Sequence, residues 1–174
     1  MPSREPLPSY GVTIMENKKI YPRNQLVEIV QQLKADGKVV VTTNGCFDVL
    51  HVGHLRYLQA AQALGDFLVV GVNSDDSVRT LKGENRPLVP ADERAEMLAG
   101  LGCVDYVTIF PELDPIDLLS AIKPSIHVKG GDYTIERVIE REAVESNGGK
   151  VILGLNVPGK STTDIIETIR ERYK

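Results

Sequence analysis

Apolar residues recur along the chain in two alternating rhythms. Between Arg23 and Gly37 the positions Leu26, Ile29, Val30 and Leu33 lie on one helical face, which predicts an amphipathic helix with Asn24 as N-cap and Gly37 as its stop. The next run, Val39-Val40-Val41-Thr42-Thr43, is continuous and β-branched, the composition of a buried strand, and Asn44-Gly45 breaks it. From about Gly53 helical spacing returns through Leu55, Leu58, Ala61 and Leu64. Phe67 to Val72 reads as a second buried strand, and Asn73-Ser74-Asp75-Asp76 at its end supplies caps for a further helix. A polar loop over residues 82–90 precedes helical spacing over 91–101 through Ala95, Leu98 and Leu101. Then follow a strand over 106–110, a helix over 116–122 ended before Pro124, a strand over 126–129 and a helix over 135–146. Gly148-Gly149 turns the chain into a strand over 151–153, and a last helix begins near Thr162.

Strands that alternate with helices in this way predict an α/β fold, a Rossmann-like doubly wound parallel sheet of about five strands in a single domain. Residues 1–22, with Pro2, Pro6, Pro8 and Pro22 among polar residues, read as an extended N-terminal arm, leaving 23–174 as the domain. The chain shows no internal repeat and no low-complexity block. Its 174 residues suffice for a sizeable core, and 42% hydrophobic with 25% charged residues is ordinary for a globular protein. A net charge of −4 argues against nucleic acid as the main partner. Two cysteines, Cys46 and Cys103, are too few for a disulfide framework and favour a reducing compartment. With neither a signal-peptide core nor a run of about 20 apolar residues, no membrane partner is expected and a cytoplasmic location is.

The candidate chemistry lies between the first buried strand and its helix. Loops at the carboxyl ends of parallel strands are where ligands bind, and a helix start offers backbone N–H groups and a positive dipole end to phosphate. Gly45-Cys46-Phe47-Asp48 lets backbone approach a ligand closely, and His51 and His54 follow at the helix start. A metal site is one alternative, but only His127 remains as a further histidine where zinc wants three or four ligands. A purely structural histidine pair is another, and two histidines in a Gly-flanked loop count against it.

Gly45-Cys46-Phe47-Asp48-Val49-Leu50-His51-Val52-Gly53-His54 resembles the H-x-G-H signature of the cytidylyltransferase-like nucleotidyltransferases. The wording Asn44-Gly45-Cys46-Phe47-Asp48 is similar to the adenylyltransferase domain of the ADP-heptose synthases. Three further stretches resemble the same family, Leu81 to Pro87, Val128 to Tyr133, and Ser161 to Ile166, so the likeness spans about residues 24–172. It implies transfer of AMP from ATP to D-glycero-β-D-manno-heptose 1-phosphate, with Mg²⁺ held largely by phosphates and water. ATP and heptose 1-phosphate would be the partners, the enzyme a homodimer, and a separate heptose kinase the source of the substrate. A glycerol-3-phosphate cytidylyltransferase and a non-catalytic nucleotide-binding module stand as the alternatives.

The resemblance also implies roles. His51 and His54 would stabilise the phosphates in the transition state, with Lys82 as a third catalytic group. Asn44, Gly45, Cys46, Phe47, Asp48 and Gly53 would surround the nucleotide, Asp48 either positioning the site or helping to hold the metal. Lys129, Gly131, Asp132 and Tyr133 would meet the nucleoside, Lys129 also touching phosphate. Ser161, Thr162 and Thr163 would bind the β- and γ-phosphates, with Gly159 and Lys160 adding mobility and a cation. Arg79 and Arg86 are weaker candidates for substrate binding. From the residues alone, Lys82 also reads as a solvated lysine at a helix end, Gly130-Gly131-Asp132 as an ordinary turn, the Ser-Thr-Thr run as a helix cap, and Arg94 as half of a surface ion pair.

Overall fold

The structure, a computed structural model, describes residues 18–131, 133–154 and 161–173. Five strands form one sheet: β1 Val40–Gly45, β2 Phe67–Asn73, β3 Tyr106–Phe110, β4 Ile126–Lys129 and β5 Lys150–Leu153. All neighbours run parallel in the order β3-β2-β1-β4-β5. The helices are α1 Arg23–Ala35, α2 Val52–Gln62, α3 Asp75–Lys82, α4 Ala91–Ala99, α5 Ile116–Ile122, α6 Arg141–Glu145 and α7 Thr162–Arg172.

The strands are apolar throughout because helices cover both faces. Val41, Leu68 and Val70 point to the face filled by Leu58 and Ala61 of α2 and by Ala95 and Leu98 of α4. Their neighbours Val40 and Val69 point the other way, onto Leu26 and Val30 of α1 and Leu118 and Ile122 of α5. Leu58 and Leu68 are fully buried, so truncating either to Ala would cost about 2–5 kcal/mol. The doubly wound parallel sheet is therefore as the alternation predicts. From β1 the chain builds outward through β2 and β3, then returns to place β4 on the other side of β1. That reversal opens a crevice at the carboxyl ends of β1 and β4.

Several boundaries differ from the sequence reading. Asn24 does not cap α1. The cap is Pro22, whose carbonyl accepts from Leu26 N–H, and Asn24 lies inside the first turn. Gly37 does end the helix, at φ 76°, a conformation glycine adopts without strain. Asn44 and Gly45 do not break β1. They continue it, paired with Gly71 and Val72. Leu64 lies beyond the end of α2 and is 39% exposed.

The helix expected over 135–146 is a single 3-10 turn, Ile135–Arg137, followed by the short α6. Val138 and Glu140 are both drawn inside, and residues two apart cannot share one face of a helix, so Val138 takes an extended conformation at φ −79° and ψ 104°. At the N-terminus, Lys19–Tyr21 run beside β3, with Tyr21 N–H donating to the Val107 carbonyl and Val107 N–H to that of Lys19. The rest of the stretch read as an arm, residues 1–17, lies outside the described residues.

Candidate active site

The loop from β1 to α2 is shaped by burial of two of its own side chains. Phe47 takes a left-handed backbone, φ 46°, and turns its ring inward, where it is 5% exposed and meets the His54 ring edge-on at 5.3 Å. Asp48 follows with no exposed side-chain surface. One carboxylate oxygen receives Leu88 N–H at 2.7 Å and Val89 N–H at 2.9 Å, while the other is paired with Arg86 Nε. Of the two roles open to Asp48, the geometry displays positioning: its carboxylate ties the 86–89 loop to the loop after β1.

Arg94 does the same from within. It is not the surface ion pair that its helical pattern allowed. The side chain is 1% exposed and reaches the ends of three segments. It donates to the Cys46 carbonyl after β1, to the Asn73 carbonyl at 2.8 Å and Asp75 Oδ1 at 2.7 Å where α3 begins, and to the Val89 carbonyl at 2.9 Å. Every guanidinium nitrogen is used, which is how an arginine is tolerated in a core.

The histidines stack, with centroids 3.9 Å apart and an interplanar angle of 24°. His51 is the N-cap of α2, its Nδ1 accepting from Gly53 N–H at 3.1 Å, which leaves Nε2 to carry the proton of the neutral ring. Burial, with the neighbouring His51 as a smaller cause, pushes the His54 pKa down to about 4. His54 is therefore neutral at pH 7 in the free protein. A polyanion placed against these rings favours the protonated form, so the pair can answer charge when charge arrives.

A cleft of about 630 Å³ opens above the sheet at the crevice. Asn44, Gly45, Cys46, Phe47, Asp48, Gly53 and His54 line it from the β1 side, and Lys82 and Arg86 from the α3 side. Lys129, Gly131 and Tyr133 line it from β4, and Ser161, Thr162 and Thr163 from the start of α7. Fifteen of the residues singled out in the sequence thus meet on one cavity.

His51 does not line it and reaches it through the ring it stacks on. Arg79 does not line it either; it is paired with Asp76 one helical turn away on the surface. Asp132, Gly159 and Lys160 lie outside the described residues.

The three hydroxyls are not equivalent. Ser161 Oγ accepts from Asp164 N–H at 3.1 Å as the cap of α7 and keeps its own proton to donate. Thr162 Oγ1 already donates to the Val49 carbonyl at 3.2 Å, tying α7 to the loop after β1. The cations differ too. Arg86 is matched by Asp48 and Lys129 by Glu140, whereas Lys82 is exposed and makes no ion pair among the described residues.

Tyr57, Glu140 and Asn73 also line the cleft without standing out in the sequence. Tyr57 OH donates to the Val128 carbonyl at 2.9 Å, so it accepts from Thr43 Oγ1 at 2.6 Å, and burial raises its pKa to about 12. A Cβ at Gly130 would come within 3.0 Å of the Tyr57 ring, which explains glycine there. The one available signal was the position of Tyr57, three residues past His54 and so on the same helix face. Glu140 sat within the helix expected over 135–146, with nothing in the spacing to mark it as buried.

Among the described residues no group of three His, Cys, Asp or Glu side chains could hold a metal. His127 is fully buried on β4, its Nδ1 within 2.9 Å of Thr42 Oγ1, and burial with Lys129 nearby lowers its pKa to about 3. Asp48 spends its carboxylate on three donors. The residues present therefore suit a divalent ion carried by a bound phosphate better than one held by side chains. Among the described residues, no helix is long and apolar enough to cross a membrane.

Residues 42–168 match the cytidylyltransferase-like family. The chain belongs to the cytidylyltransferase-like family. Within it, the chain is 57% identical over 157 residues to the bifunctional protein HldE of Pelobacter propionicus, covering 90% of this chain and 32% of that protein. The HldE proteins of Geobacter sulfurreducens and Pseudomonas aeruginosa are 54% and 50% identical over 89% and 85% of this chain. This cytidylyltransferase-like chain thus spans about a third of the length of the curated relatives it matches.

Among solved structures, the lipopolysaccharide core biosynthesis protein of Thermoplasma volcanium is similar at a TM-score of 0.61 and 27% identity, covering 70% of this chain and 99% of that one. A pantoate-beta-alanine ligase of Francisella tularensis shares the fold at a TM-score of 0.58 and 17% identity, over 87% of this chain and 77% of that one.

Proposed function

We propose that the chain is an adenylyltransferase that moves AMP from ATP to D-glycero-β-D-manno-heptose 1-phosphate and releases pyrophosphate. The observation that carries this reading is the meeting, on one cleft, of two helix starts, the His51–His54 stack and a Lys82 with no ion pair among the described residues. That is a site for a polyanion. The HldE relatives and the likeness to a lipopolysaccharide core biosynthesis protein support a phosphosugar as the second substrate.

In this reading a sugar-phosphate oxygen attacks the α-phosphorus of ATP in line, a P–O bond forms, and the bond to the β-phosphate breaks. The attacking phosphate is ionised at neutral pH, so the protein needs no base; it positions the two phosphates and offsets the charge that grows on them. His54 donates to the phosphate oxygens, with His51 stacked behind it fixing its plane. Lys82 faces the shared charge of the α-phosphate and the attacking group. Ser161 accepts from Asp164 N–H as the cap of α7 and gives its one hydroxyl proton to an oxygen of the β- or γ-phosphate, while Thr162 holds that helix start against the loop after β1. Mg²⁺ would arrive on the triphosphate and draw charge from the departing pyrophosphate. The sugar 1-phosphate would come from a kinase, on another chain or elsewhere in a longer protein.

The test is turnover with ATP or CTP, each paired with heptose 1-phosphate or glycerol 3-phosphate. ATP with the heptose should be the preferred pair. Preference for CTP with glycerol 3-phosphate would replace this reading by that of an alcohol-phosphate cytidylyltransferase.

A further inference from the structure

The two walls of the cleft differ in charge. Toward α2, α3 and α7 one cation is left to a ligand: Arg86 is matched by Asp48, but Lys82 makes no ion pair among the described residues, and the start of α7 offers its backbone N–H groups. Toward β4 the cation that lines the cleft among the described residues, Lys129, is cancelled. Its Nζ is bonded to Glu140 Oε1 and lies 5.1 Å from the centre of the Tyr133 ring. Among the described residues, the wall around that pair is apolar or bare backbone, with Tyr133, Ile139, Gly130 and Gly131.

Glu140 is an unusual residue to bury. It has no exposed surface, and its second oxygen, Oε2, finds no hydrogen-bond partner among the described residues. A carboxylate satisfied at one oxygen is costly in a protein interior, and such groups are kept for a reason other than packing. It lies two residues past Val138, where the helix pattern breaks and both side chains turn inside.

We propose that Glu140 is a positioning residue that sets which way ATP lies in the cleft. By cancelling Lys129 it removes a second phosphate-attracting cation from the β4 wall. That wall is left for the uncharged nucleoside, and the triphosphate is sent to Lys82 and the start of α7. The inference rests on the reading of the cleft as an ATP site and adds the device that orients the nucleotide there. Without the carboxylate, Lys129 competes for the triphosphate and most of the bound ATP lies in the unproductive direction.

The experiment uses the full chain and inorganic tripolyphosphate, which has phosphates but no nucleoside. Titration calorimetry is run on the wild type, on Glu140→Gln, which keeps the shape of the side chain, and on the double variant Lys129→Met/Glu140→Gln. Glu140→Gln should bind tripolyphosphate about tenfold more tightly than the wild type, the scale of one newly exposed cation next to a polyanion. Its kcat with ATP should fall at least tenfold while the KM for ATP does not rise. The double variant should return tripolyphosphate affinity to the wild-type level. A merely structural carboxylate would weaken binding of every ligand and would not respond to removal of Lys129. Unchanged or weaker tripolyphosphate binding by Glu140→Gln, with ATP binding intact in the wild type, overturns the proposal alone. If Glu140→Gln fails to fold, the double variant decides, since loss of its tripolyphosphate affinity would make Lys129 a phosphate ligand and overturn the proposal. A wild type that binds neither ATP nor tripolyphosphate overturns this proposal and the nucleotide reading together.

Discussion

Replacing Asp48 by Asn separates its two possible roles by magnitude. The carboxylate has no exposed surface and receives three donors, Arg86 Nε and the N–H groups of Leu88 and Val89. An amide can offer its oxygen to one side only. If the oxygen stays on the two backbone donors, its NH₂ is turned toward the Arg86 N–H, and one hydrogen bond to a charged group, worth about 1.5–3 kcal/mol, becomes a donor–donor contact. The arginine is also left without its counter-charge at 17% exposure. Removing one partner of a buried pair costs about 3–5 kcal/mol, and the residual solvent at Arg86 puts this case near the low end, about 3 kcal/mol. For a chain of 174 residues that lowers Tm by roughly 6–12 °C. Thermal unfolding of Asp48→Asn, beside a Mg²⁺ titration of its remaining activity, reads out both. The expected result is the drop in Tm with an unchanged Mg²⁺ requirement. An unchanged Tm with a steeply raised Mg²⁺ requirement would refute the positioning role and make Asp48 a metal ligand.

Other outcomes follow from the same geometry. His54→Ala should lower kcat by roughly 10²–10³ as a lost donor to the phosphates, and His51→Ala, which removes the ring stacked behind it, should lower kcat by less; circular dichroism should show both folded, and wild-type turnover in both would move the site elsewhere. Lys82→Ala should depress kcat, whereas Ser161→Ala should raise the KM for ATP about fivefold and cost about 1 kcal/mol of stability as a lost cap, and steady-state kinetics giving the reverse division would sink it. His127, with its pKa lowered to about 3 by burial, takes up a proton on unfolding between pH 6.5 and 3, so its contribution to stability is present above pH 6.5 and is lost as pH falls through that window. Urea unfolding at pH 7 and pH 5 should show about 2 kcal/mol less loss in His127→Gln than in the wild type, and parallel losses would contradict the neutral buried ring.

The sheet was legible because burial on both faces writes itself into a strand as an unbroken apolar run, as in Val40 to Thr43 and Phe67 to Val72. The loop after β1 and the start of α7 were legible because glycines, histidines and hydroxyls next to a helix start have few other uses in that combination. The polar framework beneath them was not. Arg94 and Asp48 carry ordinary surface residue types, and only the fold shows that their partners lie in β2, α3 and the 86–89 loop. Glu140 was hidden for a related reason: periodicity sees apolar positions, and a buried carboxylate that interrupts a helix leaves no trace in it. Arg79 is the opposite case: the residue stood out in the sequence, and Asp76 on the same helix holds it at the surface, off the cleft.

The most direct test of the account is to incubate the chain with ATP, Mg²⁺ and D-glycero-β-D-manno-heptose 1-phosphate and follow the phosphorus resonances. The account predicts a new diphosphate linkage between adenosine and the sugar, one pyrophosphate for each, and no product when Lys82→Ala/His54→Ala replaces the wild type. Adenylyl transfer that proceeds equally well in that double variant, or that occurs only with CTP and an alcohol phosphate, would contradict it.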